Sequence, residues 1–313
     1  MAAVTLNLKR IIDLPIYQWL RFLPVASAAG ACMCNDERGT DRYIYFLLSA
    51  TSFWRYDTWT DTFQQLANPP TMSFAAGVTM CYDPSRGYVW LSAPLTSSPW
   101  HMTAYYDTAL NTWTSRANIA GLAAAFGTEA SLCHTCSTYN VAGNDDYLYL
   151  IGNNGTIWWR FSVVGNAWSV MANALPAAAG AGCTIVWPWG FNTDRLYYIR
   201  GTATSAVYYY TIGVPAWSAL IAYVPATETF TAGTCVAYCP NNRIFIVKDA
   251  THRMFYYQLD QDKMYPGGYW PYLSGAAIVG DGLVYVKSED GAEYIYYRRH
   301  TGTELWRMLI GWF

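Results

Sequence analysis

Apolar positions along this chain come in short runs of aromatic and β-branched residues, separated by Gly, Asn, Asp and Pro. Runs of this kind are strand signals. No stretch of useful length carries helical periodicity. The runs recur in a fixed order. A run of small residues, often holding Cys, comes first: AGACMC (29–34), AGVTMC (76–81), ASLCHTC (130–136), AGCTIV (181–186), AGTCVAYC (232–239) and AAIVG (276–280). An aromatic run follows, as in RYIYFLL (42–48), GYVWLS (87–92), DYLYLIG (146–152), RLYYIRG (195–201), RIFIVKD (243–249) and GLVYVKS (282–288). A second aromatic run then ends in Tyr or Phe, as in FWRY (53–56), TAYY (103–106), IWWRF (157–161), VYYY (207–210) and MFYY (254–257). Seven residues after that Tyr or Phe stands another aromatic: Phe63 after Tyr56, Trp113 after Tyr106, Trp168 after Phe161 and Trp217 after Tyr210. Arg299 and Trp306 keep the spacing with a charged first residue.

Each unit therefore reads as four strands: one of small residues, two aromatic, and one opened by Trp or Phe. The closing aromatics at 63, 113, 168, 217 and 306 are 50, 55, 49 and 89 residues apart. The last gap holds two units, because the fifth (231–273) has a disturbed fourth strand, QLDQDKMYPGGYWPYL. Four strands in each roughly 40–55 residues, repeated, predict a β-propeller. A four-stranded sheet cannot bury both faces alone, whereas blades stacked about an axis bury them against each other. The innermost strands crowd at the axis, which accounts for the Ala, Gly and Cys runs. Between the third and fourth strands, Asp-x-x-x-Asn/Asp predicts a turn. Asp and Asn bond their own backbone there and tolerate left-handed geometry.

Six complete units fit between residues 28 and 313, and a seventh blade is the alternative. Residues 1–27 are left over. Within them IIDLPIYQW repeats the seven-residue spacing, with Ile12, Tyr17 and Trp19 as its anchors. This arm is expected to close the ring on a blade edge, to begin an incomplete blade, or to pair with a neighbouring subunit.

The segment RYIYFLL…FWRYDTWTDTFQQLANPP resembles a kelch repeat, whose third and fourth strands read YD-x-x-T-x-x-W-x-x-L-x-x-P. The likeness is close in the first two units and looser through residue 313. The paired glycines of kelch repeats are missing after the second strands, which read LLSAT, LSAP, IGNNG, IRGTA, VKDAT and VKSED. The resemblance implies an all-β propeller. It also brings in copper oxidases built on kelch-like propellers, which need Tyr, Cys and His converging on one face. A divergent metal oxidase is accordingly one alternative.

Composition narrows the function. Of 313 residues 53% are hydrophobic, 17% aromatic and only 13% charged, about half the usual charged share. With 27 Tyr and 15 Trp, many aromatic groups must lie on the surface, where partners would cover them. A net charge of −2 gives no electrostatic footprint for nucleic acid or an anionic membrane. No apolar run reaches the roughly 18 residues of a membrane span, and no signal peptide is read at the N-terminus.

Candidate chemistry is sparse. The eight cysteines recur on the small-residue strand because the position recurs, and are read as buried small hydrophobes. Cys133-His134-x-Cys136 is the one local cluster of ligand-like types, but it lacks a second pair, so neither a metal nor a cofactor is expected. The four histidines, His101, His134, His252 and His300, fall at unrelated positions. No nucleophile, zinc-protease or phosphate-loop motif is present. Aromatics in loops point better to function: Trp187 and Trp189, near one mouth of the propeller, Trp100 in TSSPWH, and Tyr269 and Trp270 after Pro-Gly-Gly. They suit a protein interface or stacking on sugar rings, and the alternative for each is packing between blades. These features lead to the expectation of a non-enzymatic interaction subunit of a large assembly, a bacteriophage tail or neck by analogy, with a carbohydrate-binding propeller as the second reading.

Overall fold

The computed structural model describes residues 16–36, 41–72, 74, 76–97, 100–120, 130–135, 146–152, 155–191, 194–201, 206–223, 229–231, 233–248, 253–269, 282–289, 291–299 and 302–310. Ile12, His252, Trp270, His300 and the AAIVG run lie outside them. Among the described residues there is no helix, and so none long and apolar enough to cross a membrane.

The first described strand is β1 (Ile16–Phe22), and the described strands form six antiparallel sheets. Blade one is β2 (Cys32–Asn35), β3 (Tyr43–Ser49), β4 (Ser52–Asp57) and β5 (Thr62–Gln65). Blade two is β6 (Thr79–Asp83), β7 (Tyr88–Pro94), β8 (His101–Asp107) and β9 (Thr112–Arg116). Blade three is β10 (Ala130–Thr135), β11 (Tyr147–Gly152), β12 (Trp158–Ser162) and β13 (Ala167–Val170). Blade four is β14 (Thr184–Val186), β15 (Arg195–Ile199), β16 (Ala206–Thr211) and a split outer strand, β17 (Ala216–Trp217) and β18 (Ala222–Tyr223), both paired with β16. Blade five is β19 (Cys235–Cys239), β20 (Arg243–Val247), β21 (Arg253–Gln258) and β22 (Lys263–Tyr269). Blade six is β23 (Gly282–Lys287), β24 (Glu293–Arg298), β25 (Glu304–Leu309) and, outermost, β1.

The inner strands touch in the order β2, β6, β10, β14, β19, β23 and back to β2, so the ring closes at six. Burial follows position in the blade. Second strands such as YVWLSAP and RIFIV are buried on both faces, since each face meets a neighbouring blade. Outer strands such as TFQQ and AWSV are largely exposed. Aromatic pairs bridge the blades: Phe53 meets Tyr106 and Trp113, Trp90 meets Phe161, Trp158 meets Tyr210 and Trp217, and Tyr197 meets Tyr257. Flat rings fill these gaps well and prefer such tilted contacts.

One unit departs from the expected strand assignment. In blade six GLVYVKS forms the innermost strand rather than the second, and Trp306 lies in the third strand rather than opening the fourth. Its cross-strand partner is Tyr297, not Arg299. The shift follows from ring closure, because β1 from the other chain end supplies the outer strand. In blade five the fourth strand does form. Pro266 and Gly267 are absorbed by a register shift between Met254 and Phe255, and Met264 takes the position opposite Tyr257 that an aromatic holds elsewhere.

Candidate functional site

Two regions carry the chemistry and shape that a function needs: the axial cavity and the face bearing the turns between third and fourth strands.

The cavity, of about 250 Å³, is lined by all six inner strands. Four of these strands are entered through an equivalent buried glycine, Gly30, Gly77, Gly182 and Gly233, with φ of 90°, 96°, 80° and 92°. A side chain cannot adopt that turn cheaply, and a Cβ on Gly182 would stand 2.2 Å from the Thr231 carbonyl oxygen. Two residues beyond each glycine, or its equivalent, stands Cys32, Thr79, Ser131, Thr184, Cys235 or Leu283. Those hydroxyls join neighbouring blades. Leu132 N–H donates to Thr79 Oγ1 at 3.2 Å, Ile185 N–H donates to Ser131 Oγ at 3.1 Å, and Ser131 Oγ bonds Thr184 Oγ1 at 3.1 Å. An inner strand has one unpaired edge, and the hydroxyl of the preceding blade satisfies a backbone donor on it. Asn35 Nδ2 donates to the Tyr285 carbonyl at 2.6 Å across the blade-one to blade-six junction, and Arg298 Nη2 to the Ala31 carbonyl at 2.9 Å.

Among the described residues, no Asp, Glu, Lys or Arg lines the cavity. Its described cysteines are thiols rather than disulfides, and four of them serve different blade interfaces: Cys34, Cys81, Cys133 and Cys235 belong to four separate apolar clusters. Burial pushes the Cys32 thiol up to about 12, although the Arg298 charge pulls it back, and burial likewise pushes Cys239 to about 12. Protonated thiols of this kind are poor nucleophiles and poor ligands. His101 is fully buried in β8. Its Nδ1 accepts from Ile119 N–H at 3.2 Å, so its Nε2–H donates to Ser92 Oγ at 2.9 Å. Burial holds its pKa down at about 3, which makes it a neutral structural group. His134 turns away from Cys133, as adjacent strand residues must, and its Nε2 lies 3.7 Å from Asp83 Oδ2.

The loop aromatics are placed as follows. Trp187 is buried and lines the cavity. Trp189 is half-buried and meets the Tyr238 ring edge-on at 6.0 Å, between blades four and five. Trp100 is half-buried with φ of 65°, a rare conformation for a bulky residue, held by Trp100 N–H to the Ser97 carbonyl and Leu95 N–H to the Trp100 carbonyl. Tyr269 ends β22 opposite Arg253. Tyr17 and Trp19 lie in β1, opposite Met308 and Trp306.

The turn face is built by repetition. In blade one Asp57 Oδ1 accepts from Trp59 and Thr60 N–H at 3.0 and 3.3 Å, Tyr56 OH donates to Asp61 Oδ1 at 2.6 Å, and Asp61 has φ of 54°. Blade two repeats this with Asp107, Tyr106 and Asn111, whose φ is 54°, and blade five bonds Tyr257 OH to Asp262 Oδ1 at 2.7 Å. Asn111 Oδ1 also accepts from Ala67 N–H of blade one, and Asn166 Oδ1 from Ala117 N–H of blade two, so the turns pin successive blades. Within this rigid frame the tips are apolar. Trp59, Leu110, Val164 and Val214 occupy the same turn in four successive blades and are 41%, 70%, 72% and 71% exposed. Arg42 covers one side of the Trp59 ring at 4.7 Å. Sequence reading passed over these residues because it took the turn for its Asp and Asn and ignored its middle positions. An apolar residue inside a polar turn was the signal.

No family model matches the chain, and no curated protein does. Solved structures do. An auxiliary nutrient binding protein from Bacteroides ovatus is similar at a TM-score of 0.63 and 10% identity, over 94% of this chain and 76% of that one. One of the same description from Bacteroides thetaiotaomicron gives 0.60 and 10%, over 94% and 76%. The protein YjhT gives 0.60 and 13%, over 91% of this chain and 95% of its own. These likenesses are of fold. The six-bladed propeller is shared, and the kelch resemblance stays one of sequence pattern.

Proposed function

We propose that the chain is a non-enzymatic interaction subunit of a larger assembly and docks through the face of its third-to-fourth-strand turns. The observation that carries this reading is the row of exposed apolar tips, Trp59, Leu110, Val164 and Val214, on turns stiffened by their own Asp, Asn and Tyr bonds. Water-exposed apolar groups repeated on one rigid face are what a partner buries at little cost in ordering. The low charged share of the chain, 13%, supports the same reading. The assembly we propose, on the analogy of compact β modules, is a bacteriophage tail or neck. The test is incorporation. The variant Leu110→Glu/Val164→Glu/Val214→Glu should keep its circular dichroism and lose its place in the purified native assembly, whereas wild-type incorporation by the variant would remove the reading.

A second reading has one observation of its own. The axial cavity presents hydroxyls, thiols and backbone edges in a volume suited to a small neutral ligand such as a sugar, and two similar structures are described as nutrient-binding. Calorimetry with a panel of neutral sugars, repeated on Trp187→Ala, distinguishes it from the first.

A further inference from the structure

We propose that Asp83, His134 and Asp146 form a zinc-class divalent metal site that ties blade two to blade three, with Arg86 as the movable group that occupies it. Asp83 ends the inner strand of blade two, His134 lies in the inner strand of blade three, and Asp146 immediately precedes the second strand of blade three. All three are buried, and one ligand atom from each lies within 4.8 Å of the others. The imidazole separates this set from an acidic patch. Carboxylates alone suit hard ions, whereas one imidazole with two carboxylates suits zinc and its neighbours.

The surroundings already aim the ligands. Asp83 Oδ1 accepts from Ser85 N–H at 2.9 Å, Ser85 Oγ–H at 2.6 Å and Arg86 N–H at 3.3 Å, which turns Oδ2 towards His134. Trp90 Nε1 reaches that Oδ2 at 3.5 Å. A ligating carboxylate fixed through its other oxygen is the usual outer support of a metal site. Tetrahedral zinc with donors at about 2.0–2.1 Å sets neighbouring donors about 3.3 Å apart. The 3.7 Å between His134 Nε2 and Asp83 Oδ2 needs a closure of only a few tenths.

Arg86 is the cation held there. Its Nη1 meets Asp83 Oδ2 at 3.0 Å and pairs with Asp146 Oδ2, while its side chain remains 30% exposed. The imidazole ligates only when neutral, and a divalent ion in place of the guanidinium would then match the charge of the two carboxylates. Arg86, whose side chain is 30% exposed, has water to move into. The ion would add a cross-link between two blades whose inner strands are also joined by the Leu132 N–H to Thr79 Oγ1 bond and by a shared apolar cluster.

The experiment uses the full chain, stripped with a chelator, and zinc chloride alone as the probe, read by calorimetry and by thermal unfolding. One equivalent should bind and raise the Tm. His134→Gln and Asp146→Asn should each weaken binding at least about tenfold, and Arg86→Met should tighten it several-fold. If the carboxylate or histidine variants do not fold, the Arg86→Met comparison decides alone. No binding by either wild type or Arg86→Met, equal affinity in those two, or undiminished binding in folded His134→Gln and Asp146→Asn would each overturn the proposal.

Discussion

Trp19 in β1 stands directly opposite Trp306 in β25, joining the two ends of the chain in one sheet. That pairing covers the edge that β25 would otherwise offer to solvent, and the Leu23 N–H to Thr303 carbonyl bond extends it. An unpaired strand edge is an aggregation template, and a propeller with one open blade loses cooperative closure. Removing residues 1–22 is expected to lower the urea midpoint and produce concentration-dependent association. Both are read by tryptophan fluorescence and light scattering on the truncated chain. A monomeric truncation with an unchanged midpoint would show that β1 does not close the ring.

The Tyr-to-turn bonds make a graded prediction. Tyr56, Tyr106 and Tyr257 each donate to a turn residue five positions on, at 2.6, 2.9 and 2.7 Å. Tyr→Phe keeps the packing and deletes only the hydroxyl. Each change should cost about 1 kcal/mol, rising towards about 2 where the acceptor is the Asp61 or Asp262 carboxylate. Urea denaturation of the three single variants gives the order directly.

Ser131 makes the sharpest test of how inner strands are held. Its Oγ accepts from Ile185 N–H and bonds Thr184. Ser131→Ala leaves a backbone donor without that acceptor and should cost about 1–3 kcal/mol. Ser131→Cys should recover part of that, since Cys occupies the same position in blades one and five. Equal losses for Ala and Cys would mean that the site needs volume only.

His101 gives the chain a predictable acid response. Its folded pKa of about 3 lies below the ordinary histidine value because burial disfavours the imidazolium. The unfolded chain therefore binds more protons between about pH 6.5 and 3, and the stability contributed by neutral His101 is lost as pH falls through that window. From pH 7 to 5 the loss is about 2 kcal/mol for an unfolded pKa of about 6.5. His101→Asn can still accept from Ile119 N–H. Its unfolding free energy should fall less over the same interval, as measured by urea titrations at both pH values.

Most of the architecture was legible in sequence because it is local and repeated. The Tyr56/Phe63 spacing marks a hairpin, and the recurring Ala-Gly before Cys or Thr marks entry to an inner strand. Blade six was misaligned by one strand because its outer partner, β1, lies at the far end of the chain, and the Arg299–Trp306 spacing imitated a hairpin that pairs instead through Tyr297. The Asp83, His134 and Asp146 cluster was hidden for the same reason. Local reading tied His134 to its sequence neighbour Cys133, while adjacency of inner strands β6 and β10 brings it to Asp83 of the preceding blade. Aligning the inner strands on their entry glycine, or on the equivalent position in blades three and six, puts Asp83 and His134 one position apart in adjacent blades, a signal available only once the ring is known.

The turn face is tested most directly by hydrogen exchange, comparing the free chain with the chain in its native assembly. The account predicts protection on assembly concentrated in residues 57–61, 107–111, 162–166 and 211–215, the turns that carry Trp59, Leu110, Val164 and Val214. Protection confined to the opposite face around Trp100, or no change at these four turns, would contradict it.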